Sequence, residues 1–366
     1  MRRNPSYEVA VVGGGPAGAT AALYTTRLGH RTALVDGVGG RHESASHVHN
    51  LIGLSEATSG AELSAEAKAQ LDEYGGDVYE ERVETVERPG DAVPERFELR
   101  GDRSTVRADA VVLATGFSDQ DPGVPGIERF TGRGLHYCLH CDAYGLADGP
   151  VFVLGHDDHA AHVALTMLNF TADVDLFPDG ADPTWSDEVA AQLDAYSVTV
   201  DDRIVDGAYA TDEAADDRDE LWLGGLTFAD GERRDYLGGF AMYGRTFESG
   251  LANDLGCDLN ADGSVAADEV GRTSVDGVYA AGDLTHGQNQ TPIAIGDGAR
   301  TGIAVHKALR AFPRPAEGTE GAERGDGRRD AGHGSAPDAP AVPDDLRATM
   351  RRVRDRGADS GFGPDE

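Results

Sequence analysis

Six residues, Gly13-Gly14-Gly15-Pro16-Ala17-Gly18, restrict this chain more than any others. Gly13, Gly15 and Gly18 spell G-x-G-x-x-G. The segment before them, YEVAVV (7–12), reads as a buried strand, and the segment after, ATAALYTTRLG, has helical periodicity. A second strand, RTALV (31–35), ends in Asp36, 18 residues beyond Gly18. A glycine motif alone says little, but this one has the β-α-β setting and the acid it requires. Gly13 permits the tight turn, Gly15 lets a pyrophosphate approach the helix N-terminus, and Gly18 lets the helix pack on the strand. Asp36 is placed to accept a ribose hydroxyl. The competing reading is a glycine-rich turn without ligand.

The rest of the chain extends this pattern. Residues 60–74 read as a helix, and VYEERVETVE, RFELR and STVRADAVVLATG, spanning 78–116, suggest antiparallel strands and a return to the main sheet. A second β-α-β pattern starts at Val151, with VFVLG, HAAHVALTMLNF and DVDLF in turn. SVDGVYAAGD reads as a further buried strand and residues 291–312 as a closing helix. Residues 313–341 contain no Val, Ile, Leu, Met, Phe, Trp or Tyr and read as a disordered linker by composition. Residues 342–356 then fit a short amphipathic helix with a basic face.

Charge and cysteine content exclude several classes. The 366 residues carry 65 Asp plus Glu against 32 Lys plus Arg, a net charge of −33. Such a surface repels nucleic acid and anionic membranes. Scarce lysine with abundant aspartate points to a cytoplasm at molar salt, where the Debye length is about 3 Å and self-repulsion is screened. No run of about 18 apolar residues exists to span a membrane, and the N-terminus lacks the apolar region of a signal peptide. A cytoplasmic location is expected. Three cysteines are too few for a secreted disulfide scaffold. Cys257 reads as a small structural residue, whereas Cys138 and Cys141 form a Cys-x-x-Cys pair, a redox or metal spacing.

Two further strand ends stand out: Val111-Val112-Leu113-Ala114-Thr115-Gly116, and Gly277-Val278-Tyr279-Ala280-Ala281-Gly282-Asp283. With GGGPAG they resemble, in order and spacing, the two-dinucleotide-binding-domain flavoproteins, and among them the low-molecular-weight thioredoxin reductases. The resemblance covers roughly residues 6–312. It implies an α/β protein of two Rossmann-like three-layer dinucleotide-binding domains. The FAD domain is discontinuous, 1–118 and 244–312, around a central module at 119–243 that carries the cysteine pair, with a tail at 313–366. It implies FAD held by Gly13, Gly15, Pro16, Ala17, Gly18, Asp36, Thr115, Gly116, Gly282, Asp283, Gln290 and Thr291. GGRHESASHVHNLIG (39–53) is similar to the family's flavin-contacting loop, with Asn50 in its matching place and Arg41 where a Gln is commoner. A homodimer is implied as well.

The most diagnostic stretch is His136-Tyr137-Cys138-Leu139-His140-Cys141-Asp142. Cysteines at this spacing can close a small disulfide ring and exchange with another disulfide. By resemblance, Cys141 faces the flavin, Cys138 attacks the partner's disulfide, and Asp142 is the acid/base. His140 and His136, if cationic, can lower a thiol pKa. The alternative is a half zinc site completed by His42, His47 or His49.

The chain departs from the family where NADPH should bind. The central module reads Gly155-His156-Asp157-Asp158-His159-Ala160, with one glycine and two acids where a pyrophosphate needs close approach and no negative charge. The next strand ends Phe177-Pro178-Asp179, without the arginines expected for a 2′-phosphate. We read this nucleotide site as erased while its fold is kept, so the expected donor is a ferredoxin or a reduced deazaflavin rather than NADPH or NADH. The expected activity is thiol–disulfide exchange with a thioredoxin-like protein or a small dithiol. The alternatives are a flavin dithiol oxidase using oxygen and a non-catalytic flavin-binding redox sensor.

Overall fold

A computed structural model of the chain describes residues 5–37, 40–89, 96–211, 221–310 and 344–359. The first segment runs β1 (Ser6–Val12), α1 (Pro16–Arg27), β2 (Thr32–Asp36), α2 (Gly60–Glu73), β3 (Asp77–Glu80), β4 (Val83–Glu87), β5 (Phe97–Gly101), β6 (Thr105–Leu113) and β7 (Phe117–Asp119). The middle contains β8 (Leu135–His136), α3 (Leu139–Asp142), β9 (Val151–Leu154), α4 (Asp158–Met167), β10 (Val174–Phe177), α5 (Asp187–Ala195) and β11 (Val198–Val200). It continues with β12 (Val205–Ala210), β13 (Leu223–Phe228), β14 (Arg233–Asp235), β15 (Gly238–Ala241) and β16 (Arg245–Phe247). The chain then returns through α6 (Gly250–Asp254), β17 (Val278–Ala280) and α7 (Thr291–Leu309), and α8 spans Asp344–Asp359.

The elements build two large sheets, a three-stranded sheet and a two-stranded one. In the first, the order is β3-β2-β1-β6-β5-β4, and β17 joins the carboxyl half of β6. β1, β2, β3, β6 and β17 are parallel. Parallel strands covered on both faces need near-continuous apolar runs, and Val9 to Val12 and Ala110 to Leu113 are all buried. The second sheet, β11-β10-β9-β15-β8, is wholly parallel. β12, β13 and β14 form a small antiparallel sheet beside it. The two chain crossings between the large sheets lie side by side, β7 antiparallel to β16. Residues 78–80 depart from the sequence expectation. They pair parallel to β2, because the α2 crossover returns the chain in the same direction.

Local sequence explains the helices that frame the site. α1 begins with Pro16 at its first position and buries Ala17, Ala19, Ala21 and Ala22. α2 starts with a capping box between Ser59 and Glu62. α7, from the far end of the fold, lies against α1, where Gly298 and Gly302 leave room for Ala17 and Ala21. This closeness brings two segments far apart in the chain against each other. α8 lays Leu346 and Thr349 over Gly29 and Gly75, just beyond the ends of α1 and α2. The linker expected at 313–341 lies outside the described residues.

Each large sheet has its own core. Phe152 in the second is fully buried and meets Tyr236 edge-on, ring centroids 5.3 Å apart. Phe152→Ala should cost about 3–5 kcal/mol, read as a lower urea midpoint in molar KCl.

Candidate functional site

A cavity of about 750 Å³ opens at the carboxyl ends of β1 and β6. Its floor is the β1–α1 turn. Gly13 has φ +100°, and a Cβ there would lie 2.4 Å from the Ala114 carbonyl oxygen. A Cβ on Gly18 would lie 1.8 Å from the Gly13 carbonyl oxygen. The glycines thus set how closely α1 approaches the sheet. α1 has no side-chain cap and no acid in its first turn, so its free N–H groups and positive dipole end face the cavity. Asp36 accepts a 2.6 Å hydrogen bond from the Gly14 amide and pairs at 2.6 Å with Lys68.

Fifteen of the residues anticipated from sequence line this cavity: Gly13, Gly15, Pro16, Ala17, Asp36, Arg41, Asn50, Thr115, Gly116, Cys138, Cys141, Asp142, Asp283, Gln290 and Thr291. Gly18 and Gly282 sit behind the wall; a Cβ on Gly282 would press on Ala17 at 2.5 Å. His140 is exposed and does not line the cavity. Arg41 bonds Asp119 at 2.6 Å and lies over the Phe117 ring. Burial raises the Asp283 carboxyl above its ordinary range, against the opposing pull of Asn289, Arg41 and Arg245.

The cysteine pair is in the same cavity. Cys138 and Cys141 are joined as a disulfide at the start of α3. The Gln290 side-chain amide, at the N-cap of α7, points at both sulfurs, 3.5 Å from Cys138 Sγ and 3.8 Å from Cys141 Sγ. Asn50 holds Gln290 by donating to its carbonyl oxygen at 2.7 Å. Residues from three distant segments therefore converge on one S–S bond. Among the described residues, no cluster of three or more His, Cys, Asp or Glu side chains is placed to hold a metal ion. His47 and His49 instead stack on each other, rings 5.6 Å apart. Cys257 is buried, and burial pushes its thiol up.

The second β-α-β unit contrasts with the first. Gly155 has φ +148°, and a Cβ there would meet Ala160 and the Met242 carbonyl oxygen. Asp157 caps α4, its carboxylate accepting the Ala160 amide at 3.0 Å, and Asp158 stands in the first turn. The loop before α5 folds over this end. The Thr184 amide donates to the His156 carbonyl at 2.7 Å, and the Ser186 amide to Asp158 at 2.6 Å. Asp179 is engaged by the Val205 amide at 2.9 Å.

Sequence reading passed over Lys68, Asp119 and the pairing of His136 with Asp142. Lys68 had a usable signal: it is one of only two lysines in the chain. Asp119 offered none, since its partner Arg41 is 78 positions away.

A family model described as pyridine nucleotide-disulphide oxidoreductase matches residues 7–298. An alkyl hydroperoxide reductase component of Staphylococcus aureus (strain NCTC 8325 / PS 47) is 30% identical over 313 residues, covering 81% of this chain. The chain spans 58% of that relative's length. A thioredoxin reductase of Peptoclostridium litorale is 29% identical, with 83% of this chain and 97% of that protein covered. The crystal structure of thioredoxin reductase from Streptococcus pyogenes MGAS5005 superposes with a TM-score of 0.75 at 26% identity, covering 84% of this chain and all of that one. No described helix is long and apolar enough to cross a membrane.

Proposed function

This chain belongs to the pyridine nucleotide-disulphide oxidoreductase family, and from that premise we propose that it is a FAD-dependent thiol–disulfide oxidoreductase resembling thioredoxin reductase. The observation that carries the reading is the disulfide inside the cavity walled by the β1–α1 turn, with the Gln290 amide against its sulfurs. The turn fits FAD. The uncapped α1 N-terminus suits a pyrophosphate, a Cβ on Gly15 would meet nothing within 4 Å, and Asp36 stands at the ribose side. FAD, when bound, supplies two-electron redox chemistry to the disulfide. Gln290 and Asn50 hold the cysteine pair at the cavity, and Cys138 exchanges with a thioredoxin-like protein or a small dithiol.

The donor we propose is not NADPH. A pyrophosphate at α4 would meet the Asp157 carboxylate on the amides it needs, a second acid at Asp158, and the 184–186 loop across its path. Ferredoxin, a one-electron protein donor, requires none of these groups. The same closed site suits the second reading, a dithiol oxidase passing electrons to oxygen. We place the protein in a high-salt cytoplasm, as a homodimer, on its −33 charge and the family resemblance.

Flavin absorbance separates these readings. In anaerobic molar KCl, dithiothreitol should bleach the FAD-loaded chain promptly, while NADPH and NADH should not. Rapid bleaching by NADPH would overturn the proposed donor. Peroxide formed from a small dithiol in air would select the oxidase.

A further inference from the structure

Two titratable side chains bracket the disulfide in sequence. His136 precedes Cys138 by two residues and Asp142 follows Cys141 directly. The structure brings them together, with His136 Nδ1 3.2 Å from Asp142 Oδ1. β8 pairs with β15 in parallel and sets the His136 ring against Phe240, 6.0 Å between centroids. The two side chains are 11% and 23% exposed, and both line the cavity that holds the disulfide.

The elements around β8 bring other charged groups. Glu128 and Arg129 belong to the turn at Ile127–Phe130; His42, His47 and Asp119 lie across the cavity. The His136 ring pairs with the Asp142 carboxylate through Nδ1. Phe240 and Gly239, on the β15 side, bring no charge.

Disulfide exchange expels a thiolate, and a nearby proton speeds its departure. An imidazole can both take up and release a proton through its two ring nitrogens, and the 3.2 Å contact couples the His136 ring to the Asp142 carboxylate beside Cys141.

We propose that His136 is a positioning and proton-holding residue for this exchange, acting through Asp142 as a single unit. The proposal rests on the disulfide-exchange reading above. A reductant thiolate attacks Cys138 Sγ; a mixed disulfide forms, the Cys138–Cys141 bond breaks, and the electron pair leaves on Cys141 Sγ. The unit gives that sulfur one proton, leaving neutral His136 beside anionic Asp142. The reductant's second thiol then returns a proton to the unit and closes its own disulfide. Cys138 is released as a thiolate. Two electrons have moved, and the unit is reloaded.

The test follows thiol appearance at Cys138 and Cys141 by rapid quenching with a maleimide mass tag. The full FAD-loaded chain is mixed with dithiothreitol in molar KCl from pH 6 to pH 9. The parent should outpace His136→Asn by at least tenfold at pH 6. That ratio should fall towards one by pH 9, the behaviour expected of a variant that has lost a proton-delivering group. A ratio independent of pH, whether one or large, would overturn the proposal, since lost packing would slow exchange equally at every pH. Should His136→Asn fail to retain FAD, Asp142→Asn carries the same test, with the same expected convergence at high pH. A parent disulfide that dithiothreitol never reduces would instead defeat the underlying exchange reading. A reducible parent with a pH-independent ratio defeats only the role of His136.

Discussion

Cys138→Ser is expected to lower turnover of a thioredoxin-like disulfide by on the order of a thousandfold or more, the scale of losing a covalent nucleophile. A serine hydroxyl ionises far less readily than a thiol and forms no S–S bond. The substitution changes one atom that faces the Gln290 amide at 3.5 Å and leaves the β1–α1 turn untouched. Flavin retention should therefore stay within about twofold, because this loss belongs to the exchange step and not to binding. Steady-state disulfide reduction and the flavin-to-protein absorbance ratio measure the two effects separately. Full activity in the serine variant would remove the cysteine pair from the mechanism.

Gly18→Ala should produce the second large effect, on cofactor retention. In an ordinary helix interior this change gains about 0.5–1 kcal/mol, because alanine loses less backbone entropy. Here the new methyl would lie 1.8 Å from the Gly13 carbonyl oxygen, and a Cβ at Gly13 would itself meet Ala114. Backbone cannot yield as a flexible side chain can. α1 must move off β1 and carry its N-terminus away from the cavity. The clash outweighs the entropy gain, and a net loss of about 3 kcal/mol or more is expected. FAD affinity should fall by more than about tenfold, read by titrating FAD against flavin fluorescence in molar KCl. A Gly18→Ala chain that purifies with full flavin and an unchanged melting temperature would contradict this account of the turn.

Much of the site was legible because its signals are local. Glycines needed for a turn, apolar runs of parallel strands and cysteines three positions apart all lie within a few residues of one another. GGGPAG and Cys138–Cys141 could be read for that reason, and Asp36 from its place at the end of the second strand of the β-α-β unit. Reading became harder with sequence separation. The Asn50–Gln290 bond spans 240 positions and the Arg41–Asp119 bond 78. His136 and Asp142 are only six apart, yet their contact depends on β8 pairing with β15, about a hundred residues away. Sequence reading named both histidines as able to tune a thiol and placed His140, not His136, among the catalytic residues. Strand geometry turned His136 into the cavity and left His140 exposed.

The acids of Gly155-His156-Asp157-Asp158 show the division most clearly. Their charge, visible in the chain alone, is the ground for proposing a donor other than NADPH. Only the folded structure shows that Asp157 takes up the α4 amide and that Asp158 draws the 184–186 loop across the helix end. Two β-α-β units, a glycine turn suited to a phosphate and a cysteine pair of redox spacing were all written into the chain, since each follows from backbone sterics and periodicity over short stretches. Folding decided which helix N-terminus stays free, which histidine meets Asp142, and that Gln290 from a remote segment faces the disulfide. Those outcomes depend on packing between segments whose separation along the chain carries no information about their distance in space.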